Sequence, residues 1–158
     1  MSIKQLFDLS GKTALVTGGS RGLGLQLAEA LGEMGAKVSL VARKQDELED
    51  AVAHLSKMGV EASYIVADLQ SETSVPAVVK EAIKQLKHID ILINNAGVNN
   101  PKPLSEIGNI DVDWAFNINL IAPLLISQAL IPNMLESQWG RIINIGSILG
   151  EISREHRS

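Results

Sequence analysis

A glycine-rich stretch at residues 17–24 lies between two regular elements, and this placement limits the possible folds more than any other feature of the sequence. The apolar run 13–16 precedes it directly, and apolar residues with helical spacing follow it from Leu23 to Met34. Glycines permit a tight turn and a close approach of the backbone to a ligand, and the free amides at a helix start attract phosphate. The stretch therefore predicts a strand, turn and helix that bind the pyrophosphate of a dinucleotide.

Short apolar runs alternate with amphipathic segments along the rest of the chain. Further strands are predicted at residues 38–42, 62–67, 89–93 and 141–145. Further helices are predicted from Leu48 to near Gly59, from Ser74 to Leu86, and from about Asp111 to Glu136, the last kinked or divided at Pro123 and Pro132. This alternation predicts an α/β fold, a Rossmann-type doubly wound parallel sheet of about five strands with helices on both faces. Its ligand is expected at the carboxyl ends of the strands, where the strand order reverses.

Length and composition limit the number of domains, the partners and the cellular location that are expected for this chain. A chain of 158 residues predicts a single nucleotide-binding domain over residues 1–158. A net charge of -4 with both signs interspersed predicts neither a nucleic-acid partner nor a membrane surface. The N-terminus has no apolar signal region and the chain has no cysteine, which favours the cytoplasm. The three histidines are too scattered to predict a metal site.

The residues after the second predicted strand indicate which dinucleotide binds. In NAD sites an acidic residue there accepts a hydrogen bond from the ribose 2′-hydroxyl, whereas this chain has Ala42 followed by Arg43. Arg21 and Arg43 are suited to bind a 2′-phosphate, so NADP is predicted over NAD. The alternative is that both arginines are solvated surface residues. The acids that follow are interpreted as the solvated start of a helix: Asp46, Glu47, Glu49 and Asp50.

Several ordered motifs resemble the short-chain dehydrogenase/reductase family, from about residue 8 to residue 150. The turn 17–24 is similar to the family's TGxxxGxG element, and residues 94–97 match its NNAG element. Asp68 and Leu69 are similar to its adenine-contacting position. The predicted cofactor-binding residues are Gly18, Ser20, Arg21, Gly22, Leu23, Gly24, Arg43, Asp68, Leu69, Asn95, Ala96 and Gly97. From the residues alone, Asp68 as a helix cap and 94–97 as a turn without a ligand stay open.

The resemblance also implies a reaction and two catalytic residues. Asn119 is similar to the helix asparagine of the family's catalytic set and Ser147 to its serine. The implied reaction is hydride transfer between nicotinamide and a small ketone or alcohol, such as a sugar acid, a polyol or a 3-oxoacyl group. Ser147 would polarise the substrate oxygen, and Asn119 would hold a water or a backbone group in a proton relay. From the residues alone, a serine after a strand is more often a cap or turn residue than a catalytic one.

The chain departs from the family pattern at its end. The family's catalytic tyrosine and lysine belong to a YxxxK element, but the only tyrosine here is Tyr64, and no Tyr-x-x-x-Lys precedes Ser158. We therefore expect a fold that is incomplete at its C-terminus, with the fifth strand as an exposed edge, and a chain that binds its cofactor better than it turns over substrate.

Two functions stay open at this stage, beside the third alternative of a misfolding fragment that has no function of its own. One is the cofactor-binding portion of an NADP-preferring oxidoreductase, whose full-length form is expected to be a homo-oligomer. The overall sequence is most similar to the gluconate 5-dehydrogenase and 3-oxoacyl-[acyl-carrier-protein] reductase branches of the family. The other is a catalytically silent module that binds NADP or interacts with a partner.

Overall fold

Strands and helices alternate along the chain in the computed structural model, which describes residues 3–71 and 73–148. The strands are β1 (Thr13–Thr17), β2 (Lys37–Ala42), β3 (Ala62–Val66), β4 (Ile91–Asn94) and β5 (Arg141–Asn144). The helices are α1 (Ile3–Leu6), α2 (Gly22–Glu33), α3 (Gln45–Lys57), α4 (Ser74–Leu86), α5 (Asn109–Phe116) and α6 (Ala122–Glu136). A 3-10 turn, Leu104–Glu106, precedes α5.

The five strands form one parallel sheet in the order β3-β2-β1-β4-β5. At its centre, Val16 of β1 pairs with Leu40 of β2 on one side and with Ile93 of β4 on the other. The chain builds outward from β1 to β3 and then returns to place β4 against the free side of β1. The predicted doubly wound fold is confirmed, and the strand order reverses between β1 and β4.

Helices cover both faces of the sheet because side chains alternate along each strand. Leu15 of β1 faces a buried cluster with α4 and α6, whereas the next residue, Val16, faces a cluster with α2 and α3. The buried residues of α4 recur with helical spacing at Val75, Val78, Val79 and Ala82. Each large apolar side chain buried in this way contributes about 1.5–3 kcal/mol. The two clusters hold the strand ends, and the loops that follow them, in fixed positions.

The long helix predicted before β5 is divided once. A π-helical turn, Asn117–Ile121, joins α5 to α6, and Pro123 is the second residue of α6. Proline is accommodated there because the helical hydrogen-bond pattern is already shifted: the N–H of Ala122 donates to the carbonyl oxygen of Asn117, five residues back instead of four. The predicted division is thus present beside Pro123. It is absent at Pro132, through which α6 continues.

The segment Asn109–Glu136 is also long and apolar enough to cross a membrane, by length and composition alone. One face of α6 is buried in the domain core through Ala122, Ile126, Leu130 and Met134. Its other face exposes Leu124 and Leu135, and Ile143 is exposed on the edge strand β5. The predicted exposure of the fifth strand is therefore observed.

Candidate functional site

Two glycines allow the turn after β1 to pack against the loop after β4. Gly18 has a φ of +64°, and a Cβ atom there would lie 2.9 Å from the Cα atom of Ala96. A Cβ atom on Gly24 would collide with the carbonyl oxygen of Gly18. Side chains at these positions would separate the two loops and push α2 away from the turn. The glycine spacing is therefore required by the close approach of three backbone segments.

Thr17 and Asn95 join the same two loops by hydrogen bonds. The Thr17 hydroxyl accepts hydrogen bonds from the backbone N–H groups of Asn95 (3.0 Å) and Ala96 (3.1 Å). The side-chain amide of Asn95 donates to the carbonyl oxygens of Thr17 (3.0 Å) and Gly18 (3.1 Å). These bonds satisfy backbone groups at the carboxyl ends of β1 and β4. They fix the crevice where the strand order reverses.

A cleft of about 360 Å³ opens at this crevice, at the position predicted for a ligand. It is lined by all the predicted cofactor-binding residues except Leu23 and Gly24, namely Gly18, Ser20, Arg21, Gly22, Arg43, Asp68, Leu69, Asn95, Ala96 and Gly97. Gly24 is buried beneath the turn, and the side chain of Leu23 is exposed. The structure therefore brings together residues from the ends of four strands.

One end of the cleft carries a cluster of charged groups that the sequence analysis described incompletely. Arg21, Arg43 and Lys44 line it and are exposed, and Glu47 lines it and is partly buried. Glu47 is the third residue of α3, and its carboxylate accepts hydrogen bonds from Lys44 Nζ (2.7 Å) and Ser20 Oγ (3.1 Å). Its predicted place at the start of a helix is confirmed. The side chain is not fully solvated, however, because only 25% of it is exposed and it contacts the turn after β1.

The charge state of Glu47 follows from these contacts. The hydrogen bond from Lys44 lowers the pKa of this carboxyl, partial burial raises it, and Ser20 and Arg21 lower it further, so that the net shift is downward. Glu47 is therefore an anion at neutral pH. The cluster is a mixed site of cations and one carboxylate.

Asp68 forms a local turn and lines the cleft, but it is not the cap of α4, which begins at Ser74 with Thr73 as its N-cap. Its carboxylate accepts a hydrogen bond from the backbone N–H of Gln70 (3.0 Å), which stabilises the turn before α4. Its carbonyl oxygen accepts a hydrogen bond from Ser74 Oγ (2.6 Å). The residue is exposed and also lines the cleft, next to the buried Leu69. A local turn role and a position against the cleft are compatible here.

A second cleft of about 870 Å³ adjoins the first along residues 95–98. Both predicted catalytic residues, Asn119 and Ser147, line it. The Asn119 amide forms two hydrogen bonds with the backbone of Val98, donating to its carbonyl oxygen (2.9 Å) and accepting from its N–H (2.8 Å). Asn119 thus fixes the loop between the two clefts. Ser147 lies just beyond the exposed end of β5.

Sequence reasoning did not assign several other residues that line the first cleft, and Lys44, Val98 and Ile118 are among them. Lys44 follows Arg43 directly. A second cation beside a predicted phosphate site could have been predicted to bind the same phosphate. Val98 follows the NNAG element by one residue, which is a weaker signal. Ile118 reaches the cleft from the π-helical turn, which no local pattern predicts.

Comparisons with known proteins agree with this geometry. The family model described as short chain dehydrogenase matches residues 12–158. The chain is 39% identical over 154 residues to gluconate 5-dehydrogenase of Gluconobacter oxydans (strain 621H), covering 98% of this chain and 60% of the relative. It is 35% identical over 144 residues to 3-oxoacyl-[acyl-carrier-protein] reductase FabG of Aquifex aeolicus (strain VF5), covering 90% of this chain and 58% of the relative.

Solved structures of short-chain oxidoreductases also resemble this chain. A metagenomic short-chain oxidoreductase, crystallised in complex with NADP, superposes with a TM-score of 0.89 at 35% identity, covering 94% of this chain and 68% of that one. The chain spans about three fifths of the length of the curated relatives it matches. The match extends over nearly all of this sequence, through the glycine turn, the NNAG element and the strand before Ser147. The chain therefore belongs to the short-chain dehydrogenase family.

Proposed function

We propose that this chain is the cofactor-binding portion of an NADP-preferring oxidoreductase. The observation that carries the proposal is the cleft where the strand order reverses, which is lined both by the glycine turn and by two arginines. Dinucleotides bind at this position in doubly wound sheets. The absence of an acid at Ala42 removes the usual partner of an NAD ribose.

The residues around the cleft fit the parts of NADP. The close backbone approach at Gly18 and the start of α2 suit the pyrophosphate, because no side chain intervenes and helix N–H groups attract phosphate. Arg21, Arg43, Lys44 and Ser20 form a donor set suited to a 2′-phosphate. Asp68 and Leu69 would contact the adenine, and residues 95–97 would lie beside the ribose of the nicotinamide half.

The second cleft is the proposed substrate site. The cofactor would supply a hydride for transfer to or from a carbonyl carbon. Ser147 would donate a hydrogen bond to the substrate oxygen, and Asn119 would hold the Val98 loop in position. A small ketone or alcohol is proposed as substrate, of the sugar-acid, polyol or 3-oxoacyl type. The relatives' names include gluconate and 3-oxoacyl compounds. A cytoplasmic location and a homo-oligomeric full-length form are part of the same proposal.

A catalytically silent NADP-binding module is the second candidate, and the position of Tyr64 is compatible with it. This residue, the only tyrosine in the chain, lies on β3, and its hydroxyl donates a hydrogen bond to Glu49 (3.0 Å) outside the cleft. It is not placed to act as an acid or base on a substrate in the second cleft. Turnover of a keto-gluconate or a 3-oxoacyl compound by the chain itself would overturn this candidate.

Fluorescence titration of the chain with NADPH and NADH tests the cofactor assignment. We expect Arg43→Asp to weaken NADPH binding about 30-fold, because a charge-assisted contact is replaced by repulsion, and to change NADH binding less than about threefold. Lys80→Asp on α4 reverses a charge away from the cleft and is the matched control. Equal losses for the two nucleotides in Arg43→Asp would overturn the 2′-phosphate assignment.

A further inference from the structure

The carboxylate of Glu47 connects the two sides of the proposed 2′-phosphate site. One oxygen, Oε1, lies 2.7 Å from Lys44 Nζ and 3.7 Å from the Arg21 guanidinium. The other, Oε2, accepts a hydrogen bond from Ser20 Oγ (3.1 Å). Ser20 and Arg21 belong to the turn after β1, and Lys44 precedes α3. A single acid thus draws together donors from two loops.

These donors are suited to an external anion as well as to a side-chain carboxylate. Two cations, a hydroxyl and the N-terminal turn of α3 surround one negative charge. A 2′-phosphate bound here would need the same donors and would carry more charge than the carboxylate. The two anions would compete for the cations and would repel each other. An unphosphorylated ribose brings no such charge, and its 2′-hydroxyl is able to donate a hydrogen bond to a carboxylate.

We propose that Glu47 is a specificity-determining residue that limits the preference of this cleft for NADP over NAD. The inference rests on the NADP site proposed above and adds an element that opposes it. Arg43 and Lys44 attract the 2′-phosphate, while Glu47 holds Lys44, Arg21 and Ser20 and must release them when the phosphate binds. The preference for NADP over NAD then depends on the difference between the attraction of the 2′-phosphate to the cations and its repulsion by Glu47.

Neutralising Glu47 measures this effect. In Glu47→Gln the side chain keeps its size and still accepts a hydrogen bond from Ser20, but the negative charge is gone. We expect NADPH to bind about tenfold more tightly and NADH to change less than about threefold, so that the ratio of the two dissociation constants shifts about tenfold. In Glu47→Asp, which keeps the charge, the ratio should stay closer to that of the unmodified chain.

Glu49→Gln is the matched control, since it makes the same chemical change two residues further along α3. The Glu49 carboxylate accepts hydrogen bonds from Gln45 and from Tyr64, and it does not line the cleft. Both variants remove one negative charge from the chain, so a difference between them reports position rather than net charge. Titrations in about 0.05 M and 0.5 M salt should show the Glu47→Gln effect shrinking at the higher concentration.

The outcomes separate this inference from the proposed function. A selective gain for NADPH in Glu47→Gln, absent in Glu49→Gln, supports it. If the unmodified chain prefers NADPH and the ratio in Glu47→Gln is unchanged or falls, Glu47 only organises the cations, and this inference alone is overturned. If the unmodified chain binds neither nucleotide, the proposed function is overturned and the inference falls with it.

Discussion

Thr17 accepts two hydrogen bonds from Asn95, between the ends of the two strands at which the sheet order reverses. The backbone N–H of Asn95 donates to the Thr17 hydroxyl (3.0 Å), and the Asn95 side chain donates to the Thr17 carbonyl (3.0 Å). Thr17 is buried, and its hydroxyl also donates to the carbonyl of Ile93 (3.3 Å). The relative position of the glycine turn and the NNAG loop therefore depends on one hydroxyl and one amide.

Replacing Thr17 with valine should destabilise the domain. The change keeps the shape but removes the acceptor for the N–H groups of Asn95 and Ala96, and unpaired buried donors are costly. We expect the free energy of unfolding, measured by urea denaturation, to fall by about 2 kcal/mol. Thr73→Val, at an exposed site, should change it by less than about 0.5 kcal/mol. Equal effects would contradict the role of the Thr17 hydroxyl.

Gly24→Ala should damage both stability and nucleotide binding. The added methyl group would overlap the carbonyl of Gly18 and lie 2.5 Å from the side-chain nitrogen of Asn95. We expect a loss of about 1–3 kcal/mol in unfolding free energy and a weaker thermal shift with NADPH, since α2 must move away from the turn. Gln26→Ala, at an exposed position of the same helix, is the control. Tolerance of alanine at Gly24 would show that the close packing is dispensable.

Asn119→Ala should release the loop between the two clefts. The substitution removes both hydrogen bonds to the backbone of Val98. Amide hydrogen exchange at Val98 should become about tenfold faster, because the N–H loses its only described acceptor and the loop opens more readily. Exchange in β1 should not change. Unaltered protection at Val98 would mean that the loop is held by other contacts.

Asp90 should give the domain an acid-sensitive component of stability. Burial raises the pKa of this carboxyl, but hydrogen bonds from Thr13 and Lys12 and the charges of His88 and Lys12 outweigh it, and the net shift is downward. His88 Nε2 lies 2.8 Å from the carboxylate, and the backbone N–H of Thr13 lies 2.9 Å from it. Such a group stabilises the fold fully above its unfolded pKa of about 3.9, and this contribution is lost as the pH falls through the lower folded-state value.

Unfolding measurements from pH 7 to pH 2.5 test this dependence. Asp90→Asn should cost about 3 kcal/mol at pH 7, because it leaves the partners of a buried carboxylate unsatisfied, and should flatten the fall in stability below pH 4. Asp113→Asn, at an exposed position of α5, should keep the acid slope. An unchanged slope in Asp90→Asn would assign the acid sensitivity to other carboxyl groups.

The order of strands and helices is predictable from local sequence patterns. The geometry of the charged cluster around Glu47 is not. Continuous apolar runs and helical spacing predict elements because burial on both faces of a parallel sheet demands them. The position of Glu47 depends instead on a contact with Ser20, 27 residues earlier in the chain. An acid in the first turn of a helix is ordinary by sequence alone. Only the packing of the two loops brings it against Arg21.

The sequence also does not show at which proline the long helix is interrupted. Both Pro123 and Pro132 predict a kink or a division of this helix, since each lacks a backbone N–H. Pro123 lies in the first turn of α6, where the interruption is observed, whereas α6 continues through Pro132. Beside Pro132, the side-chain oxygen of Asn133 accepts a hydrogen bond from the backbone N–H of Ile89 (3.0 Å), which anchors the helix to the segment before β4. Tertiary contacts of this kind have no sequence signature.

An NMR titration of the isotope-labelled chain with NADP tests the central claim most directly. We predict that the backbone amides that shift first are those of Gly18, Ser20, Gly22, Arg43 and Asn95, around the cleft at the carboxyl ends of the strands. The amides around Asp90, at the opposite end of the sheet, should not move. A set of shifts centred elsewhere, or no shifts at millimolar NADP, would contradict the assignment of this cleft as the cofactor site.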